Sequence, residues 1–231
     1  MAVGERRAGR DVELDGGARG YLAVPATGSG AGVVVLQEWW GLVDHIRDVC
    51  DRLAREGFVA LAPDLYRGAE ARDPSEAERL MMDLDVPRAG DDLVAAVATL
   101  LGHEAVEGAK VGCIGFCMGG QLALHGAAQS PRIGAVVDCY GIHPAVTVDA
   151  AAIEAPVLGV FAENDGFVTP EAVEVLRSQL EAAGVRTHFK TYIGVDHAFL
   201  NDSRPEVFDA ATAREAWNDI LSFLRAELRA G

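Results

Sequence analysis

The sequence predicts an α/β protein with a mostly parallel central sheet covered by helices on both faces. Short continuous apolar runs, such as Val33-Val34-Val35-Leu36, have the pattern of strands buried on both sides. Stretches of helical period alternate with these runs, as strand–helix repeats of a parallel sheet require. Between the apolar Val111-Gly112-Cys113-Ile114 and an alanine-rich helical pattern over 121–128 lies Gly115-Phe116-Cys117-Met118-Gly119-Gly120. A Gly-x-Cys-x-Gly between strand and helix has the form of a tight turn that presents its central residue.

The elements follow in order. Asp11 to Val24 alternates loosely around Gly16-Gly17, which suggests a starting hairpin or edge strands. Pro25 to Gly32 reads as a loop before the Val33–Leu36 strand, which ends in Gln37-Glu38-Trp39-Trp40-Gly41. Ile46, Val49, Cys50 and Leu53 predict a helix from Asp44 to Arg55, with Asp44 as N-cap and Gly57 as stop. Phe58 to Ala62 is the next strand, broken by Pro63-Asp64.

Leu65 to Pro87 is charged and irregular, with a short helix after Asp73-Pro74-Ser75. Insertions of this kind in α/β folds often lie over the active site. Leu93, Val94, Val97, Leu100 and Leu101 predict a helix over 91–101. Past the central turn, 133–137 and 155–161 read as strands. Thr169 as N-cap and Pro170 at the first position start a helix to Ala183. Residues 187–193 alternate as a strand, and a last helix over 210–228 shows Ala213, Trp217, Ile220, Leu224 and Leu228 on one face. With no repeat or linker in view, residues 1–231 read as a single domain, long enough to bury a sizeable core.

Composition narrows the function. The formal charge of −15 argues against nucleic acid, whose phosphates need a basic face. It leaves room for a small anionic substrate if a local arginine receives it. No run approaches the ~20 apolar residues that span a bilayer. Met1-Ala2-Val3-Gly4-Glu5-Arg6-Arg7 has no apolar segment behind it, so no signal peptide is visible. Cys50, Cys113, Cys117 and Cys139 lie in helix-like or strand-like settings, unlike a disulfide framework, and Cys113 and Cys117 lack partner ligands for a metal. The expectation is a cytoplasmic, thiol-reduced protein with no membrane partner, no metal and a small-molecule substrate, acting as monomer or homodimer.

Three chemically loaded groups fall at strand ends in the order Cys117, Asp165, His197. Parallel sheets collect ligands at the carboxyl ends of their strands, so all three should converge on one crevice. Nucleophile, acid, histidine is the chain order of α/β-hydrolases. His197 would shuttle the proton, Asp165 would orient it, and Cys117 at a helix N-terminus facing an imidazole is set up to act as thiolate. Of the other histidines, His45, His103 and His125 look helical and His188 lies in a strand, while His143 in a loop stays an alternative. Glu38, at the end of an early core strand, should face the same crevice. The amides of Trp39 and Met118 would then supply an oxyanion hole, with Trp39 or Trp40 walling the pocket.

Four anchors, Gln37-Glu38-Trp39-Trp40-Gly41, Pro63-Asp64-Leu65-Tyr66, Gly115 to Gly120, and Asp196-His197-Ala198-Phe199, resemble the dienelactone hydrolase family of α/β-hydrolases. The resemblance runs from about Asp11 to Leu228. It implies a Cys117–His197–Asp165 triad, an oxyanion hole from Trp39 and Met118, and a Glu38 that helps form the thiolate when substrate arrives. It implies no metal or organic cofactor. The family's prototype reaction hydrolyses a carboxymethylenebutenolide to maleylacetate. Family members hold the substrate carboxylate with two arginines. One lies after the Asp-Leu-Tyr turn, where Arg79 is the candidate, and one four past the histidine, where this chain has Asn201 and Arg204 follows three further on, each arginine alternatively a surface charge. The expectation is a cysteine-dependent hydrolase of activated esters or lactones. The alternatives are a broad-specificity esterase or thioesterase unrelated to aromatic breakdown, and a non-catalytic binding protein.

Overall fold

A computed structural model describes residues 9–14 and 17–228. Among them eight strands form one sheet: β1 (Gly9–Glu13), β2 (Arg19–Ala23), β3 (Gly30–Leu36), β4 (Val59–Pro63), β5 (Val106–Phe116), β6 (Ile133–Cys139), β7 (Val157–Ala162) and β8 (Thr187–Tyr192). Their spatial order is β1-β2-β4-β3-β5-β6-β7-β8. β1 and β2 pair antiparallel, as do β2 and β4, and the other neighbours are parallel. The expected opening hairpin is present. Its Gly16, like Met1 to Arg7, lies outside the described residues.

The helices are α1 (Asp44–Arg55), α2 (Pro74–Met82), α3 (Val86–Gly102), α4 (Met118–Gln129), α5 (Pro170–Ala182) and α6 (Ala210–Leu228). Two hydrophobic layers sandwich the sheet. Ile46, Val49 and Leu53 of α1 and Ile220, Leu221 and Leu224 of α6 pack with Val33 and Val35. Leu93, Val97 and Leu100 of α3 and Leu122 and Ala123 of α4 pack with Val34 and Leu36 on the other face. Successive residues of β3 point to opposite faces, and both faces are covered. That is why this strand is apolar at every step and shows no alternation.

Several boundaries differ from the sequence reading. Val43, with no side-chain hydrogen bond, is the N-cap of α1, and Asp44 is its first helical residue. A carboxylate there still favours the helix N-terminus through the dipole. α3 begins five residues before Asp91. Asp85 Oδ1 accepts from the Arg88 amide at 3.2 Å, and Pro87 occupies the first turn, where its missing N–H costs nothing. β3 begins at Gly30 and β5 at Val106, because the two pair there beyond their apolar centres. Pro63 closes β4 from inside, opposite Gly20 of β2. Asp73 and Thr169 cap α2 and α5 through the Glu76 and Ala172 amides.

Asp138 of β6 is buried, and a Cβ at Gly120 or Gly141 would overlap its Oδ1. Neither carboxyl oxygen has a well-formed hydrogen bond among the described residues, although the Gly141 amide bears on it. Burial, opposed by that amide, pushes its pKa up to about 7. A proton held by the native state and released by the unfolded one makes stability fall as pH rises from about 4 to about 7. Asp138→Asn, which cannot ionise, should remove that decline and stabilise the protein at pH 8 by up to about 4 kcal/mol. Urea unfolding across this range measures it; the same pH slope in both proteins would refute the account.

Candidate active site

Cys117 is the single residue between β5 and α4, with φ 52° and ψ −124°. A positive φ is strained for a residue with a side chain, so the surroundings must impose it. The Cys117 amide donates to Cys139 O at 3.0 Å, while its carbonyl accepts from the Gly120 amide at 2.9 Å and the Ile142 amide at 3.2 Å. Glycines allow the close approach. A Cβ on Gly119 would lie 2.6 Å from both Leu36 O and Gln37 O. The first turn of α4 therefore presses on the end of β3, bringing Met118 next to the loop that carries Trp39. Amides in a helix's first turn lack intrahelical partners and are available to an anion.

His197 and Asp165 arrive from the two neighbouring strands. The Glu163 amide donates to Tyr192 O at 2.9 Å and the Asn164 amide to Val195 O at 3.0 Å, stitching the loops after β7 and β8 together. His197 Nδ1 lies 2.7 Å from Asp165 Oδ2. Asp165 Oδ1 accepts from the Phe167 and Val168 amides, both at 2.8 Å. The carboxylate is thus fixed by three donors, and its charge falls on the imidazole.

Burial works against a charged His197, but hydrogen bonds to Asp165 and Cys117, with the charges of both, outweigh it and raise its pKa. With Nδ1 facing Asp165, Nε2 is the ring nitrogen left for Cys117. Cys117 is 8% exposed, so it is nearly enclosed. The remaining histidines are engaged elsewhere. His143 Nε2 sits 3.1 Å from Met81 O and its Nδ1 accepts from the Ala145 amide, so the loop alternative is spent on the backbone. His45 is buried 3.5 Å from Asp202.

Glu38 is buried at the end of β3. Its Oε2 accepts from Asn201 Nδ2 at 2.7 Å, and its Oε1 has no hydrogen-bond partner among the described residues. Asn201 is itself held, its Oδ1 accepting from Ser203 N at 3.0 Å and Ser203 Oγ at 2.6 Å.

One wall of the site is aromatic. Trp39 meets Trp40 at 5.3 Å between ring centroids and Phe167 at 6.4 Å. Phe167, 64% exposed, also lies 5.2 Å from the His197 ring. Arg204 reaches this wall, with its guanidinium 5.8 Å from the Trp40 ring and its Nε on Glu206 Oε1 at 2.9 Å. Arg79 stays on the surface of α2, paired with Glu76 and Asp83.

Three neighbours went unremarked as site residues in the sequence. Tyr66 places its hydroxyl 3.2 Å from Met118 Sδ. Tyr140 packs 5.0 Å from the His197 ring. Phe167 follows Asp165 so closely that it reads as a turn residue. Signals existed for Tyr66, which lies in the Pro63-Asp64-Leu65-Tyr66 anchor, and for Tyr140, which stands just past the carboxyl end of the strand beside the Cys117 turn.

Among the described residues no group of three His, Cys, Asp or Glu is placed to hold a metal ion. The four cysteines are free. No helix of the described residues is long and apolar enough to cross a membrane.

Comparison with known proteins follows the same lines. The model of the dienelactone hydrolase family matches residues 18–228. "Protein usf" of Aquifex pyrophilus is 40% identical over 217 residues, covering 91% of this chain and 94% of its own. A protein of Aquifex aeolicus named "Putative carboxymethylenebutenolidase" is 37% identical over 218 residues, with the same coverage of 91% and 94%. Among solved structures, a dienelactone hydrolase-like promiscuous phosphotriesterase, P91 from metagenomic libraries, superposes with a TM-score of 0.83 at 25% identity, over 95% of this chain and 98% of that one. The chain belongs to the dienelactone hydrolase family, with its α/β-hydrolase fold, and is a hydrolase acting on a small-molecule substrate.

Proposed function

We propose that the protein is a cysteine-dependent hydrolase of activated carboxylic esters or lactones, working through an acyl-thioester on Cys117. The observation that carries this reading is the Asp165–His197 hydrogen bond, with His197 electrostatically coupled to Cys117 on its strained turn. In the first step Cys117 Sγ attacks the carbonyl carbon. The oxygen takes up the negative charge and is held by the amides of Trp39 and Met118. The carbon–oxygen bond to the leaving group breaks, His197 Nε2–H gives that oxygen its proton, and the acyl group stays on sulfur. His197 then takes a proton from water, whose oxygen attacks the thioester, and the Cys117 sulfur leaves.

Thiolate departs more easily than alkoxide, so attack on an ordinary alkyl ester reverts. Enol lactones and aryl esters, whose leaving groups are good, suit this nucleophile. The Trp39–Trp40–Phe167 wall fits a flat apolar portion of such a substrate, and Arg204 over Trp40 is the cation placed to meet a carboxylate beside it. Arg79, engaged on α2, would have to leave its carboxylates to take part.

Cys117→Ala should lower turnover of an aryl acetate at least about 10³-fold while the protein stays folded. Turnover close to wild type would sink the cysteine mechanism. A panel of dienelactone, aryl acetate, acyl-thioester and aryl phosphotriester would separate lactonase from broad esterase or thioesterase. The phosphotriester belongs in it because of the activity named for P91.

A further inference from the structure

Two buried polar atoms of the site have no hydrogen-bond partner among the described residues, Glu38 Oε1 and the hydroxyl of Tyr140, whose ring packs on His197. Leaving either unsatisfied is costly, and having both in one site calls for a shared explanation. Tyr140 is not there by default. Its φ is 44°, in the left-handed region that a bulky aromatic side chain disfavours. The strain is imposed by its surroundings. Its amide donates to Val160 O at 2.8 Å, and its ring is wedged among His197, Phe116 and Phe199, with centroids 5.0, 6.4 and 5.9 Å away. Phenylalanine would fill this space equally well, so the packing does not account for the hydroxyl.

We propose that Tyr140 is a positioning residue for Glu38: its hydroxyl donates through one buried water to Glu38 Oε1, and completes the set of donors that Asn201 begins on Oε2. This rests on the reading of Cys117 as nucleophile and Glu38 as the group that assists it. Burial first, and then the charge of Glu38 ahead of those of Cys139, Cys117 and Asp165, resists ionisation of the Tyr140 hydroxyl, so the phenol stays a donor in a crowd of acceptors. The consequence is directional. Held at both oxygens, Glu38 keeps its rotamer in the site. Held at Oε2 alone, the carboxylate is free to turn away.

The test is a double-mutant cycle read on Cys117 itself. The rate of Cys117 alkylation by iodoacetamide, located by mass spectrometry, is compared in wild type, Tyr140→Phe, Glu38→Gln and the double variant, with melting temperature recorded for each. Tyr140→Phe keeps every ring contact and should fold. It should slow alkylation about fivefold to tenfold in the wild-type background and not at all in the Glu38→Gln background. On an aryl acetate it should lower kcat with KM unchanged. No slowing in Tyr140→Phe, an undiminished slowing in the double variant, or a raised KM with normal kcat would each overturn the proposal. Cys117→Ala on the same ester keeps the two readings apart. If that variant stays active the cysteine mechanism fails, whereas if it is dead and the cycle shows no coupling only the role of Tyr140 fails.

Discussion

Gly115→Ala should yield a protein that is severely destabilised and, in whatever fraction folds, nearly inactive. An alanine Cβ at this position would overlap Gly119 O and lie 2.6 Å from Gly120 N. Those atoms are backbone in the first turn of α4, which is itself pressed on Leu36 O at the end of β3 and on Gln37 O just past it. Nothing flexible can yield. The helix must back away from the sheet, and inserting even one methyl into a packed site of this kind costs roughly 1–3 kcal/mol or more. Here the obstruction is rigid on both sides, so a loss on the order of 3–5 kcal/mol is expected. Retreat of α4 also moves Cys117 and the Met118 amide relative to His197 and Trp39. A misplacement of about 1 Å in such a constellation can cost about 10²-fold in rate. Gly102→Ala, at the end of α3 with open space around its Cα, is the control and should be neutral or slightly stabilising. Denaturant melts and aryl-ester turnover of the two variants decide the matter. A stable, active Gly115→Ala would mean that the turn tolerates a side chain where its geometry leaves no room.

That glycine was legible in the sequence because its constraint is local. A nucleophile between strand and helix needs small residues on both sides, and Gly115, Gly119 and Gly120 supply them within six positions. The same holds for the continuous apolar run of β3 and for the Thr169-Pro170 start of α5. What could not be read is what the tertiary fold brings together. Asn201 meets Glu38 across 163 positions, and no spacing rule links them. The left-handed backbone of Tyr140 is imposed by Val160 and the rings around it, with no asparagine or glycine to announce it. The early start of α3 was readable, since Asp85 followed by Pro87 is a helix-start signal, but it lay inside a charged stretch that looked irregular as a whole. The arginines show the limit most clearly. Arg79 and Arg204 are equivalent as sequence, and only side-chain placement sets one on the aromatic wall and the other on the surface of α2.

Asp165→Asn should leave the fold nearly intact and lower turnover by about 10²- to 10⁴-fold, the upper end being the loss seen when the corresponding residue of serine triads is changed. Asp165 Oδ1 takes two backbone amides and Oδ2 takes His197 Nδ1–H. Asparagine offers one oxygen and one NH₂. The two amides demand the oxygen, because an NH₂ facing two N–H groups would be repelled, so the NH₂ is left facing His197. Nδ1 must then accept, and the proton moves to Nε2, the atom that should take it from Cys117. The imidazole is held in place in the wrong tautomer. The charge that helps raise the His197 pKa is also removed, so the imidazolium opposite Cys117 should be lost at a lower pH than in wild type. The alkaline limb of the activity profile should move to lower pH accordingly. Asp165→Ala makes the contrast. It strands the Phe167 and Val168 amides without an acceptor and should lose about 1–3 kcal/mol of stability as well as activity. If Asp165→Asn kept wild-type turnover and an unmoved pH profile, the orienting role of Asp165 would be refuted while the fold that carries it stood.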